Sequence, residues 1–238
     1  MSKMSGTKDL PRSLSKGLPL WASTKALVYV TGAYTFYRTY TEAVGQMQNA
    51  VGFQGLQYQY LTLITLLGNL IAHSAASAAV LLGSNWLWDA KNLLMCYVAP
   101  LEVVVSLVYW PVMMYDRTLV VPKVVEDLGI VSIWFDLHLH AIPTLFALAD
   151  FLLYSPRPRI GPRMYACVSV VYTHIYWIVL KKTHYMMGVY PYPFMDLATE
   201  TQRKLMFGAG TCLTCGIYFG LCQVYDTMHR RQPSAGLQ

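Results

Sequence analysis

Residues 60–82 read YLTLITLLGNLIAHSAASAAVLL and contain no Asp, Glu, Lys or Arg. A helix needs about 20 mostly apolar residues to cross roughly 30 Å of hydrocarbon, and this stretch supplies them. Working outward, residues 92–115, 130–154 and 204–226 read the same way. Residues 164–180 make a shorter span dense in Val, Tyr and Ile, and residues 20–40 a weaker one that Lys25 interrupts near one end, where its side chain can snorkel. The expectation is an all-α integral membrane protein, a bundle of about six transmembrane helices over residues 20–226. A polar basic tail of residues 1–19 precedes it and a polar tail of residues 227–238 follows. Gly45 to Gln59, Ser155-Pro156-Arg157-Pro158 and Tyr190-Pro191-Tyr192-Pro193 supply the helix-breaking connections.

Composition agrees with this pattern. The 238 residues are 55% hydrophobic and only 13% charged, against about a quarter charged in soluble domains. Mean hydropathy is +0.37. With six spans, Lys3, Lys8, Arg12, Lys16, Lys91, Arg157, Arg159, Arg163, Arg230 and Arg231 fall on one side, and Arg38, Arg117, Lys123, Lys181, Lys182, Arg203 and Lys204 on the other. That bias puts both termini in the cytosol by the positive-inside rule. The N-terminus lacks a short apolar core with a small-residue cleavage site, so the first span is expected to be an uncleaved anchor in the endomembrane system, endoplasmic reticulum or plasma membrane. The net charge of +6 comes from scattered residues, which suits anionic lipid and disfavours nucleic acid as a partner. The sequence names no protein partner.

Chemistry must come from the few polar residues at membrane depth, where each costs a few kcal/mol unless it meets a partner or a cavity. Thr62, Asn69 and His73 fall within about 20° of one line on a helix; taken alone, this stripe favours hydrogen bonding between helices. Asp136 and His140 are spaced i, i+4 and share a face, whereas His138 points about 160° away. Glu102 and Asp150 read as paired or protonated inside the bundle. Six histidines are present, but none make the HxxxH or HxxHH spacings of a membrane di-iron site, so no metal is expected. Nor is there a GxSxG elbow, an HExxH motif or a phosphate-binding glycine loop. The five cysteines all lie in predicted spans. Cys212 and Cys215, although a CxxC, read as packing. A hydroxyl and an imidazole on different spans remain, Thr62 and His140, which spacing alone does not pair. Besides an enzyme, two readings stay open: a non-catalytic membrane protein that binds or carries a lipid, and a proton-coupled transporter using Glu102, Asp136 and Asp150.

The run Tyr109-Trp110-Pro111-Val112-Met113-Met114-Tyr115-Asp116-Arg117 is followed by Val121-Pro122-Lys123, and then by Trp134 with His140 six residues on. Upstream stands Tyr60-Leu61-Thr62, and downstream Gly188-Val189-Tyr190-Pro191-Tyr192-Pro193-Phe194. As a set these resemble the androgen-induced protein family of multi-pass membrane hydrolases, from about residue 58 to 226. The resemblance implies a threonine hydrolase that cleaves fatty acid esters of hydroxy fatty acids, with Thr62 as nucleophile, His140 as its base, no cofactor, and a lipid ester drawn from the membrane. The family pattern has Asn at Asp136 and His at Leu137. Asp136 then either orients His140 as a triad acid does or marks a different substrate range. Arg117 has two readings, contact with a substrate carboxylate or an interfacial anchor with Asp116. If spans two and four start at the same surface, Thr62 lies near the interface and His140 about 15 Å below it, so one of the two must start elsewhere.

Overall fold

The computed structural model describes residues 20–51, 56–121 and 132–230. Pro122, Lys123, residues 130–131 and the tails 1–19 and 231–238 lie outside these. The described chain is helical: α1 (Leu20–Val51), α2 (Leu61–Leu82), α3 (Asn85–Tyr115), α4 (Ile133–His140), α5 (Ile142–Ala149, continued by one π-turn Asp150–Tyr154), α6 (Pro162–Met187), α7 (Pro193–Leu197) and α8 (Glu200–Arg230). Single 3₁₀ turns, Leu56–Gln59 and Arg117–Leu119, precede α2 and follow α3. Among the described residues five segments are long and apolar enough to cross a membrane: α2, α3, Ile133–Tyr154, α6 and α8. The all-α membrane expectation therefore holds. The stretch 20–40 lies in α1, a 32-residue helix diluted by Lys25, Arg38 and Glu42, which is not among those five.

Local chemistry sets the helix ends. Gly83 closes α2 at φ +64° and Gly188 closes α6 at φ +76°, a left-handed conformation that glycine adopts without a Cβ penalty. Ser84 and Ser132 accept the Leu87 and Phe135 amides at the starts of α3 and α4, and Pro162 begins α6 where no amide partner is needed. Pro143 stands at the start of α5, where its missing N–H and its ring break the ladder with α4 at His140-Ala141.

Helices α1, α2 and α3 form an antiparallel layer. Tyr29 and Phe36 of α1 pack edge-on against His73 of α2, while Phe36 and Ala43 share a core with Leu63 and Leu66. Close approach follows from absent side chains. A Cβ on Gly32 would meet His73 Cδ2 at 2.6 Å, and one on Gly68 would meet Val98 Cγ2 at 2.7 Å, the small-residue packing usual between membrane helices. Helices α6 and α8 close the other side through Tyr165, stacked at 3.8 Å on Tyr218, and through a 2.7 Å contact between the Thr173 and Thr211 hydroxyls. Leu93, Leu107, Ile175, Ile178 and Leu205 point outward, as lipid-facing residues do.

One assignment changes. Lys91, counted from sequence as a loop charge, lies inside α3 with its side chain 1% exposed, and its ammonium sits 2.7 Å from Asp150. It is a buried partner and does not serve as a flanking charge. Asp150 also accepts from Tyr29 at 2.5 Å and from Ser155 at 3.1 Å. A charge at depth thus has full compensation, which is the condition for tolerating it.

Candidate functional site

At the end of the bundle where α1 and α3 finish and α2 and α4 begin lies a cavity of about 290 Å³, lined by Thr62, Tyr109, Asp136, His140, Tyr190 and Tyr192 among mainly apolar neighbours. Residues from several of the motif segments therefore reach one place. Thr62 comes from the first turn of α2, Tyr109 from the last part of α3, Asp136 and His140 from α4, and the two tyrosines from the loop that follows Gly188. The later start of span four narrows the depth mismatch. Helix α4 runs from Ile133 to His140, so His140 lies about 10 Å along it, and both side chains line the same cavity.

Thr62 is buried beside a tyrosine shell. The Leu61 amide donates to Tyr192 Oη at 2.9 Å, and the same phenol oxygen lies within hydrogen-bond reach of the Thr62 and Tyr176 hydroxyls. Tyr176 in turn donates to the Gln59 carbonyl at 2.7 Å. Helix α2 has no side-chain N-cap, so Tyr192 takes over that task for an amide that would otherwise be orphaned. Burial pushes the Tyr60 and Tyr192 phenols, both outside the spans, above the usual phenol value. Both therefore stay protonated at neutral pH.

His140 is nearly enclosed. Its carbonyl accepts from Ser106, and from Thr144 at 3.2 Å. Its ring lies parallel to Tyr109, with centroids 3.4 Å apart and planes at 11°. Its Nδ1 is buried and has no hydrogen-bond partner among the described residues. Asp136, one turn earlier, faces two other groups. Arg117 Nη2 stands 3.5 Å from its Oδ2, and the Tyr109 hydroxyl lies within hydrogen-bond reach of the carboxylate. The face shared by Asp136 and His140 thus holds no direct hydrogen bond at Nδ1. Arg117 does not line the cavity; its side chain is 33% exposed and it reaches the site through Asp136. Asp116 caps Thr118 rather than serving the site.

The remaining polar residues fall elsewhere. Asn69 Nδ2 donates to Glu102 Oε1 at 2.7 Å across α2 and α3, His73 bonds the Asn69 carbonyl, and His138 bonds back to Trp134. Among the described residues no group of three or more His, Cys, Asp or Glu is placed to hold a metal. Sequence reasoning missed Tyr109 and the Lys91–Asp150 pair. The signal for the pair was available, since one basic and one acidic residue interrupt apolar stretches near the same end of the bundle.

Fold and site together define a multi-span all-α membrane protein with a mainly apolar cavity, carrying a few polar side chains, near an end of its bundle. Residues 23–226 match the model of the FAR-17a/AIG1-like protein family, and the chain belongs to that family. It is 29% identical to a UPF0641 membrane protein of Schizosaccharomyces pombe over 174 residues, covering 72% of this chain and 76% of the relative. It is 24% identical to the androgen-dependent TFPI-regulating protein of Homo sapiens over 199 residues, covering 78% and 84%. No solved structure matches the chain.

Proposed function

We propose that this protein is an intramembrane hydrolase of lipid esters, with Thr62 as nucleophile and His140 as its base, and with fatty acid esters of hydroxy fatty acids as its substrate class. The observation that carries the reading is that the two side chains, from different helices and 78 residues apart in number, line one cavity among apolar residues. The cavity is at the small end of ligand pockets, roughly 300–1,000 Å³. It suits an ester group and the first methylenes, with the acyl chain continuing along the lipid-facing surface.

The Thr62 hydroxyl attacks the ester carbonyl while His140 takes its proton, and the alcohol leaves with that proton. Water then attacks the acyl-threonine, again giving a proton to His140, and the free acid departs with Thr62 restored. Thr62 lies in the first turn of α2, where the positive end of the helix favours a developing alkoxide. Helix α1, running antiparallel along α2, serves as a further crossing and membrane anchor. With six crossings both termini share one side, and the positive-inside bias assigns that side to the cytosol of an endomembrane, with the cavity toward the opposite face.

Labelling of the purified protein with a fluorophosphonate tests the reading. Thr62→Ala and His140→Ala are each expected to abolish labelling while leaving thermal unfolding in detergent unchanged. Labelling that persists in both variants would remove the hydrolase and leave a membrane protein whose cavity holds a lipid without cleaving it.

A further inference from the structure

We propose that Tyr109 is a positioning residue for His140, and that the Arg117–Asp136 pair acts on the imidazole through the Tyr109 side chain rather than by touching it. The inference rests on the reading of His140 as the base of Thr62. Four observations carry it. Asp136 is one turn from His140 on the same face, yet its carboxylate is engaged by Arg117 at 3.5 Å and by the Tyr109 hydroxyl. His140 Nδ1, where an orienting carboxylate would bond, has no partner among the described residues. The His140 backbone is pinned by Ser106 and Thr144, but the histidine χ2 torsion is intrinsically broad and leaves the ring plane unset. The contact that sets the plane is the parallel Tyr109 ring at 3.4 Å and 11°.

Tyr109 is itself fixed at both ends. Its hydroxyl is tethered to Asp136, whose charge Arg117 compensates, and its ring meets Trp110 edge-on at 5.4 Å. Held in this way, it presents a fixed aromatic face to the imidazole. That face is the electron-rich side of the ring. When His140 takes the Thr62 proton, the imidazolium it becomes lies over this face in a cation–π arrangement. Tyr109 therefore holds the base in place and favours its charged form. Asp136 contributes by holding Tyr109.

The test uses the purified full-length chain in micelles and a p-nitrophenyl ester of a medium-chain fatty acid. Tyr109→Phe keeps the ring and removes the tether; Asp136→Asn weakens the tether from the other end. Each is expected to lower kcat about tenfold with KM little changed, and the double variant to be no slower than either single, because both cut one chain of contacts. Losses that multiply in the double variant would mean that Asp136 reaches His140 by another route, and would overturn the proposal, as would wild-type turnover in Tyr109→Phe. A second readout separates this from failure of the hydrolase reading. The imidazole C–H resonance of His140, identified by its absence in His140→Ala, should be displaced by the Tyr109 ring current in the wild-type protein and in Tyr109→Phe, and should move in Tyr109→Leu. If Thr62→Ala and His140→Ala turn over like wild type, the hydrolase falls, but this resonance still decides the stack. A resonance unmoved in Tyr109→Leu would end the positioning role whatever the activity.

Discussion

Replacing Lys91 with Met would leave the Asp150 carboxylate buried beside Tyr29 and Ser155 with its cation gone. The Lys91 ammonium stands 2.7 Å from one carboxylate oxygen and 2.9 Å from the other, and 4.5 Å from the Trp88 ring centroid. At the shorter distance, with an effective dielectric near 20, the gross attraction is about 6 kcal/mol. Desolvation of the two ions, several kcal/mol each, offsets most of that in the intact pair. Removing one partner abolishes the attraction while the other ion's desolvation remains, so the single variant is expected to lose about 3–5 kcal/mol. Asp150→Asn strands the ammonium and should cost a similar amount. In Lys91→Met with Asp150→Asn no ion is buried, and the new amide oxygen still accepts from Tyr29. Its loss should fall well below the sum of the singles, with a coupling of about 2–3 kcal/mol. Unfolding in mixed detergent and SDS micelles, followed by circular dichroism, measures all three variants. Single losses that simply add, with coupling under about 0.5 kcal/mol, would refute the claim that this pair acts as one buried unit.

Other consequences are local. Gly32→Leu must displace His73 and Phe146, which a Cβ at that position already meets at 2.6 and 3.2 Å; overpacking of this sort costs about 1–3 kcal/mol, seen as a lower midpoint in the same unfolding assay. Gly68→Ala meets the Val98 side chain at 2.7 Å, and Val98→Ala introduced with it should recover part of the loss. Glu102→Leu removes the acceptor of the buried Asn69 amide and should destabilise by about 1–3 kcal/mol, while Glu102→Gln, which keeps an acceptor, loses less. Because burial raises the Tyr192 phenol, its contribution to stability is constant below the ordinary phenol value of about 10 and is lost as pH rises through its higher folded value. A tyrosinate absorbance titration should therefore lack one late-titrating group in Tyr192→Phe.

Most of the architecture could be read before any coordinates, because charge is expensive in hydrocarbon and its absence marks the spans. The start of α3 could not. Asn85 to Lys91 reads as a polar connection when the lysine is considered alone, and becomes helix once Asp150, 59 residues away, neutralises it. A charge has a location in sequence, but its compensation exists only in three dimensions. The same limit explains α4. The i, i+4 spacing of Asp136 and His140 correctly puts them on one face, and on a single helix that suggests a direct pair. Tyr109 and Arg117 arrive from the end of α3 and take the carboxylate first. Thr62 and His140 emerged from sequence because each had few competitors, whereas Tyr109, although it heads the quoted run, was one aromatic among the 18 tyrosines and nothing in the run links it to His140.

Two of the buried polar clusters differ in how completely their groups are paired. At one end, Lys91, Asp150, Tyr29 and Ser155 satisfy one another, with ammonium and carboxylate both nearly inaccessible. Nothing there borders the cavity, and the cluster has no free lone pair to offer a substrate. At the other end, His140 keeps a buried nitrogen without a partner and Asp136 an oxygen held only at ion-pair distance, beside a cavity that reaches Thr62. An unpaired buried polar atom costs about 1–3 kcal/mol, and the bundle carries others away from the cavity, Asn69 Oδ1, Glu102 Oε2 and the Tyr165 hydroxyl among them, so what sets His140 Nδ1 apart is its position at the cavity wall. On the proposed reading, that position beside Thr62 and the parallel Tyr109 ring leave the imidazole able to gain and lose a proton.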